Sequence, residues 1–393
     1  MSKMENGMIC LLRSAITGEA YQLPEGFALD DIIEDCFNHS VVALIYMGAL
    51  NCGFKKDELA MQLMFKQYMK EMFVSEHQMS EVAKIYEAFE AKKIDFMPVK
   101  GCNMKGLYPS PEMRNMGDAD ILIREEQYSV IEEIMKDLGY VFDAKGDHDY
   151  AWSSQGLHVE LHYKLMYYYT KEYEEYFGTG WKLATENEGH RYYMKNEDEF
   201  IYLFIHFTKH FRNGGVGCRH VMDLWIYLRN HMNMDMKYID NTMKKLSVHE
   251  FYINVMAMIE YWFNEGPKTE KLEFMTDYIM VSGNWGTYEN NIKSSGVREA
   301  QLAGSTGKGR FQSIRKALFP DLENLQLRYG ILKKIPVLLP VMWVWRWIDA
   351  ALHRRNNVKS LTRQVSQVCT TDFSDFEESL EYVGLDFTFK ENN

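Results

Sequence analysis

Two aspartates, Asp118 and Asp120, lie two residues apart at the head of an apolar run that ends at Ile123. Alternate side chains of a β-strand point to the same face, so both carboxylates are expected to project into one site. Carboxylate oxygens on one rigid strand suit Mg²⁺, which binds a few carboxylates together with substrate phosphates. Such a pair alone is common, but together with a Lys-Gly turn at 100–101 and Arg114 it indicates metal-assisted chemistry on a nucleotide phosphate.

Basic residues upstream and a third acid downstream complete the candidate site. Lys100 and Gly101 give a turn signal before the aspartates, and Lys100 and Arg114 offer positive charge to phosphate oxygens. Glu160 follows in the segment Gly156–Tyr163 (GLHVELHY) and supplies the third carboxylate. Three carboxylates can hold two Mg²⁺ ions, of which one binds a triphosphate and the other lowers the pKa of an attacking hydroxyl.

His158 and His162 flank Glu160 on the same face of its predicted strand, while Val159 and Leu161 point to the core. We interpret the two histidines as substrate contacts or as supporting partners of the carboxylates. A zinc site through the histidines is the alternative, but an oxygen-rich ligand set favours Mg²⁺ or Mn²⁺. Plain core histidines are a further alternative.

The elements that must carry these residues form a small α/β unit. Short apolar runs bounded by turn residues predict its strands at Ile94–Val99, Ala119–Ile123, Tyr140–Phe142, Tyr150–Ser153 and Leu157–Leu161. A helix is predicted at Glu125–Leu138, with acidic residues early and Gly139 at its end. Helical spacing of apolar residues predicts further helices over residues 1–90 and from Glu197 onward. The expected class is therefore α+β.

The order of these motifs resembles the uncharacterised nucleotidyltransferase family, a branch of the DNA polymerase β-like nucleotidyltransferase superfamily. The resemblance is strongest over residues 85–165, and it rests on Lys-Gly at 100–101, Leu-Tyr-Pro at 107–109, Arg114, the Asp-x-Asp strand and Glu-Leu-His at 160–162.

The resemblance implies a small mixed-sheet nucleotidyltransferase core flanked by N-terminal and C-terminal helical regions. It implies that Asp118, Asp120 and Glu160 bind metal and are catalytic, with Glu160 as the general base. It also implies that Lys100 and Gly101 bind the nucleotide, together with Arg114. The superfamily carries Gly-Ser at this turn, and Lys-Gly stands in its place here.

A second cluster lies in the helical half of the chain, where one helix carries His206, Lys209 and His210 and the next carries Arg219, His220 and Asp223. Arg219 and Asp223 form an i, i+4 pair. In related enzymes a helical domain closes the nucleotide cleft. The resemblance therefore implies that Arg219 and Asp223 contact the base or the acceptor, and a surface ion pair is the alternative.

Composition limits the location and the partners. The chain has 393 residues, is 46% hydrophobic and carries a net charge of −12, which argues against wrapping long nucleic acid. Six scattered cysteines without a CxxC pair fit reduced thiols. The N-terminus has too short an apolar core for a secretory signal, and no apolar run reaches the roughly 18–20 residues of a membrane span. A cytoplasmic location is predicted.

Four regions are expected along the chain. They are an N-terminal helical region at 1–75, the nucleotidyltransferase core at 76–170, a helical domain at 185–290 and a C-terminal helical extension at 310–393. The polar stretch Ser294–Arg310 is predicted to be an exposed loop. The segment Ile335–Trp347 is rich in tryptophan and edged by positive charge, so it is either a core helix, which we favour, or a peripheral membrane contact or partner-binding patch.

The predicted function is Mg²⁺- or Mn²⁺-dependent transfer of a nucleoside monophosphate from an NTP donor to a hydroxyl of a small-molecule or sugar acceptor. Transfer to a protein side chain or a tRNA end is one alternative. A catalytically silent nucleotide-binding scaffold is another, although the intact carboxylates favour an enzyme.

Overall fold

The computed structural model describes residues 2–166, 171–284, 331–353 and 374–385, together with scattered single positions between 286 and 329. Helices and one mixed sheet make up this part of the chain, which confirms the predicted α+β class. Cys369 and most of the predicted loop Ser294–Arg310 lie outside the described residues.

A single mixed sheet crosses the described part of the molecule. Its strands are β1 (Phe96–Pro98), β2 (Asp118–Ile123), β3 (Val141–Lys145), β4 (Asp149–Ser154), β5 (Leu157–His162), β6 (Ala184–Glu188) and β7 (Arg191–Met194). Their order in space is β3-β4-β5-β2-β1-β7-β6. Strand β2 is central, because it pairs with β5 in parallel and with β1 in antiparallel orientation.

Helices surround this sheet. They are α1 (Lys3–Thr17), α2 (Ile33–Asn38), α3 (Val42–Asn51), α4 (Leu59–Ala91), α5 (Gly101–Met104), α6 (Tyr128–Asp137), α7 (Lys171–Phe177), α8 (Asn196–Arg212), α9 (Cys218–Asn230), α10 (Met236–Lys245), α11 (His249–Phe263), α12 (Glu270–Ser282), α13 (Ile331–Lys334), α14 (Leu339–His353) and α15 (Ser374–Tyr382). None of the described helices combines the length and hydrophobicity of a bilayer-spanning segment.

Helix α4 holds the segment that leads into the aspartate strand. Its Gln78 side chain donates to the carbonyl oxygen of Met116 at 3.0 Å. The ammonium of Lys105 is buried against the same helix, where it donates to Ser75 Oγ at 2.9 Å, and it also donates to the carbonyl of Arg114 at 2.9 Å. These contacts satisfy buried polar groups of the connection, so they fix the approach to β2.

The helical regions on both sides of the sheet share one hydrophobic core. One buried cluster includes residues of α1, α3, α8, α9, α11, α12 and α15, from Met8 to Leu385. A second cluster joins the C-terminal part of α4 to α6 and the sheet, with Phe89 and Trp152 among its buried side chains. The regions predicted at 1–75 and 185–290 therefore pack as one body rather than as separate layers.

Two features of the structure differ from the sequence-based expectation. Strands β6 and β7 extend the sheet to residue 194, beyond the core boundary predicted at 170. The segment Ile335–Trp347 was expected to be a core helix, but its described side chains are largely exposed. Val337, Val341 and Trp345 are 80%, 60% and 54% exposed.

Candidate active site

The parallel pairing of β2 with β5 brings the predicted acids together. Asp118 lies beside His158 in the register, and Asp120 lies beside Glu160. The burial of β5 alternates as predicted over most of its length, with Val159 and Leu161 in the core and Glu160 partly exposed. Because Asp118 and Asp120 share a face of β2 and Glu160 is paired with Asp120, the two strands place three carboxylates on one face of the sheet.

Asp120 is the most strongly bonded of these acids. The ammonium of Lys100 donates to Asp120 Oδ1 at 2.6 Å, and His162 Nε2 lies 2.8 Å from the same oxygen. His162 Nε2 also lies 3.4 Å from Glu160 Oε2, so the imidazole bridges the two carboxylates. Asp120 and His162 are both buried, and such charge-assisted bonds are strong when water is excluded.

These contacts shift the pKa values of Asp120, Glu160 and His162. Burial opposes ionisation of Asp120, but Lys100 and His162 outweigh it and hold the pKa of Asp120 well below its ordinary value. The hydrogen bond from His162 lowers the pKa of Glu160. Burial and Lys100 act against the imidazolium of His162, yet bonds to Asp120 and Glu160 raise its pKa. Asp120 is therefore ionised throughout the physiological range.

Asp118 has the opposite environment although it lies only two residues away. Burial, together with repulsion from Asp120 and Glu160, raises the pKa of Asp118 to about 6. Two neighbouring acids with diverging pKa values are a common property of catalytic sites.

The Lys-Gly turn has an unusual backbone. Lys100 has φ +48°, a conformation that non-glycine residues rarely adopt. At the next position a Cβ added to Gly101 would lie 2.8 Å from Arg114 Nη1 and 3.0 Å from Met116 Cγ. The glycine therefore permits the close approach that directs Lys100 toward Asp120.

Arg114 was predicted to bind a phosphate, but in the structure its guanidinium pairs with Asp223. Its Nε and Nη2 atoms form a bidentate pair with Asp223, at 3.1 and 3.0 Å. Tyr108 donates a further hydrogen bond to Asp223 at 2.7 Å, and Arg219 Nη1 lies 3.7 Å from it. Arg114 and Asp223 are both buried, so they build a wall of the site.

A cavity of about 330 Å³ opens between the sheet edge and the helices. Its lining residues come from the Lys-Gly turn, β2, the segment before β2 and helices α8 and α9, and they include Lys100, Asp118, Asp120, His206, His210, Arg219 and Asn284. The cavity thus combines carboxylates with cationic side chains and imidazoles, an arrangement suited to a metal-bound phosphate compound.

The model of a known family, described as uncharacterised nucleotidyltransferase, matches residues 26–264 of the chain. The chain belongs to this family. No curated protein and no solved structure matches it. The matched range contains β2, β5 and the cavity-lining parts of α8 and α9, so the site described above lies inside the family region except for Asn284. Membership supports nucleotidyl transfer as the general class of chemistry.

The structure gathers most of the predicted site residues. Lys100, Gly101, Asp118 and Asp120 line one cavity, as do Arg114, Arg219 and Asp223, and Glu160 and His162 adjoin Asp120. His158 is the exception, because it is partly exposed and lies 3.6 Å from Asp143 on β3.

Three histidines of the helix pair that carries Arg219 and Asp223 line the same cavity, although only those two residues of the pair were named as predicted substrate contacts. His206 and His210 are one turn apart on α8, and His220 is in the first turn of α9. Burial and nearby cations hold the pKa of each imidazole below its ordinary value, to about 3 for His210. The i, i+4 spacing of His206 and His210 is the sequence signal that places them on one face of α8.

Proposed function

We propose that this nucleotidyltransferase transfers a nucleoside monophosphate from an NTP to a hydroxyl of a small-molecule or sugar acceptor. The observation that carries the proposal is that Asp118 and Asp120 line a cavity together with Lys100 and Arg219, while Glu160 is paired with Asp120 on the neighbouring strand. In this reaction the acceptor oxygen bonds to the α-phosphorus, the bond to the bridging oxygen breaks, and pyrophosphate leaves.

The donor set fits Mg²⁺ or Mn²⁺. Asp118 and Asp120 offer carboxylate oxygens to the cavity, and one ligand atom each from Asp120, Glu160 and His162 lies within 4.8 Å of the others. When bound there, a divalent ion would neutralise charge on the phosphates and lower the pKa of an attacking hydroxyl. Asp118, Asp120 and Glu160 would hold it, with His162 orienting two of them.

Lys100 and Arg219 would bind the phosphates. An ammonium has three N–H donors, so Lys100 can keep its bond to Asp120 and still donate to a phosphate oxygen in the cavity. Arg219 lines the cavity and donates to Asn284 Oδ1 at 3.2 Å. Arg114 would not bind a phosphate directly, because its Nε and Nη2 atoms are hydrogen-bonded to Asp223.

Glu160 stays the predicted general base. Its carboxylate is partly exposed, so it can accept a proton from an acceptor hydroxyl. The bond from His162 weakens it as a proton acceptor, and Asp118, whose pKa is raised to about 6, is the second candidate for this role.

The test is a thermal-shift titration of each NTP with and without Mg²⁺. We expect Mg²⁺-dependent stabilisation of the wild type by at least one NTP, and its loss in Asp118→Asn. Asp137→Asn, which changes an exposed residue of α6, is the matched control and should respond like the wild type. Equal Mg²⁺-dependent stabilisation in Asp118→Asn would contradict the assigned site.

The acceptor class is settled by a second measurement. Incubation of the wild type with the stabilising NTP and a small-molecule pool should release pyrophosphate in amounts that depend on the pool. A mass increase of one nucleotide on a purified protein or tRNA would instead identify those alternatives. NTP binding without any transfer in either assay would favour the scaffold.

The exposed apolar residues around α14 support a peripheral membrane contact as an additional property. Val337, Val341, Val344 and Trp345 are each more than half exposed, and Lys333, Lys334 and Arg346 lie in the same segment. Co-sedimentation with anionic liposomes is expected and should be lost in Trp345→Glu. Met232→Glu, at an exposed position of the helical domain, is the control.

A further inference from the structure

We propose that His206, His210 and His220 form a second metal site, suited to a borderline transition metal ion such as Zn²⁺ or Co²⁺ rather than to Mg²⁺. The three imidazoles line the cavity from its helical side, apart from the carboxylates of β2 and β5. The proposal goes beyond nucleotidyl transfer and does not depend on it.

The first observation is the separation of two ring nitrogens. His206 and His210 share one face of α8, and their Nε2 atoms lie 3.1 Å apart. Two nitrogens bound to one zinc ion at 2.0–2.1 Å stand about 3.3 Å apart in tetrahedral geometry and about 2.9 Å apart at a right angle. The observed distance lies between these values, so the α8 pair is already spaced for a shared ion.

The second observation is an unsatisfied nitrogen on the third histidine. His220 is 8% exposed, and its Nδ1 atom has no hydrogen-bond partner among the described residues. A buried polar atom without a partner costs about 1–3 kcal/mol, and a metal ion is one way to satisfy it. One ligand nitrogen of each histidine lies within 4.8 Å of the others. The Nε2 atom of His220 lies 3.5 Å from Arg219 Nη2, so closing the site requires His220 to exchange this weak contact for the metal ion.

The connection between the two helices holds this geometry. Gly214 and Gly215 have φ +143° and +115°, and the Gly215 amide donates to the carbonyl oxygen of His210 at 3.1 Å. A Cβ added to Gly215 would lie 2.1 Å from Ser282 Oγ, so the turn packs tightly against the end of α12. This turn places the first residues of α9 beside the last turns of α8.

Most of the positive charge around the histidines is paired with acids, and Lys209, which adds to that charge, has its own pKa lowered by burial and by Lys100. Lys100 is engaged by Asp120, while Arg114 and Arg219 are engaged by Asp223. Three nitrogen donors select Zn²⁺, Co²⁺ or Ni²⁺ over Mg²⁺, which prefers oxygen. A three-histidine set leaves a coordination position for water or for a cavity ligand, as in open zinc sites.

The test is a Co²⁺ titration of the full chain after removal of metals with EDTA. We expect one equivalent to bind with the intense visible absorption of four-coordinate cobalt, to be displaced by Zn²⁺, and to be unaffected by excess Mg²⁺. Loss of an outer hydrogen-bond partner of a metal ligand weakens metal affinity about 10–100-fold. The double variant His206→Gln/His210→Gln removes two ligands, so its Co²⁺ affinity should fall by more than this.

Two controls distinguish this site from the carboxylates. Glu160→Gln should retain the cobalt spectrum, and so should His77→Gln, which changes an exposed histidine of α4. The proposal is overturned if the folded wild type binds no Co²⁺, or if the spectrum survives in the double variant. It is equally overturned if the spectrum is lost in Glu160→Gln. Circular dichroism and NTP-dependent stabilisation, measured on the same samples, report folding and the nucleotide site separately.

Discussion

Asp118 and Asp120 show how partners, rather than position, determine what a residue can do. Both side chains project from the same face of β2, yet one pKa is raised and the other is lowered. The difference arises because Lys100 and His162 bond to Asp120, whereas Asp118 mainly experiences burial and the charge of the neighbouring acids. The two residues should therefore respond oppositely to loss of charge.

Asp118→Asn should remove a repulsion in the metal-free protein. Its native pKa of about 6 exceeds the ordinary 3.8, so the native state binds the proton more tightly and ionisation at pH 7 subtracts stability. The free energy of unfolding at pH 7 should stay equal or rise by at most about 3 kcal/mol. Urea unfolding in EDTA measures this change.

Asp120→Asn should lower the same free energy by about 3 kcal/mol, because it leaves the buried ammonium of Lys100 without a carboxylate. Both variants should lose nucleotidyl transfer. A stability loss in Asp118→Asn as large as that in Asp120→Asn would contradict the contrast between their environments.

At the scale of elements, the Lys-Gly turn depends on a glycine that two side chains crowd. Gly101→Ala would bring a Cβ within 2.8 Å of Arg114 Nη1, so the turn or the arginine must shift. We expect a loss of about 1–3 kcal/mol in stability and weaker NTP binding, because the shift also moves Lys100.

Gly106→Ala is the matched control for this turn. No atom lies within 4 Å of a Cβ added at Gly106, and the position belongs to the same connection between β1 and β2. It should leave both stability and NTP binding close to wild type, measured by urea unfolding and calorimetry. Similar effects in the two variants would show that the crowding at Gly101 is not the cause.

His39 links α2 to two other helices in its neutral form. Its Nε2 atom lies 3.0 Å from the carbonyl oxygen of Met280, and its Nδ1 atom accepts from the Cys218 amide at 3.2 Å. Protonation would place an N–H against that amide. Burial lowers the pKa of His39, although the Met280 carbonyl and Asp35 act in the opposite direction.

The pH dependence follows from this lowered pKa. Below pH 6.5 the unfolded chain binds a proton that the native protein does not, so this part of the stability is present above pH 6.5 and lost as the pH falls. His39→Gln should lose about 1–3 kcal/mol at pH 7.5 and show a smaller further loss at pH 5 than the wild type. Urea unfolding at both pH values tests this, and an equal further loss in His39→Gln and the wild type would contradict it.

The sequence could predict elements that rest on local patterns. Strands β1 to β5, helix α6 and the alternation of β5 follow from apolar periodicity and turn residues, and the structure confirms them within a few residues. Strands β6 and β7 were missed, because β6 (ATENE) is polar at a sheet edge, and β7 joins the sheet by pairing with β1 about 95 residues away.

The sequence also could not predict side-chain contacts between residues that lie far apart along the chain. Nothing in the sequence around Arg114 indicates that its guanidinium pairs with Asp223, 109 residues further on. The same limit applies to the contact between Lys100 and Asp120, whose residues were identified separately but not as an ion pair. Long-range side-chain contacts depend on helix packing, which periodicity alone does not determine.

At the scale of the whole molecule, the core continues beyond the region that defines the family. The family match ends at residue 264, but α12 and α15 contribute Leu272, Met275, Phe376 and Leu380 to the same buried cluster. Asn254 of α11 also donates to the carbonyl oxygen of Val383 at 3.1 Å. The C-terminal helix is therefore an integral part of the body that holds α8 and α9 against the sheet.

This arrangement predicts that a residue far from the cavity affects global unfolding. Leu380→Ala removes a buried side chain that is 6% exposed, and it should lower the free energy of unfolding by about 2–5 kcal/mol. The exposed Glu378→Ala on the same helix should change it by no more than about 0.5 kcal/mol. Circular dichroism and tryptophan fluorescence should report one coincident transition in both variants, because the shared core unfolds as a unit. An unshifted main transition in Leu380→Ala would mean that α15 is an appendage, and that the core ends where the family match does.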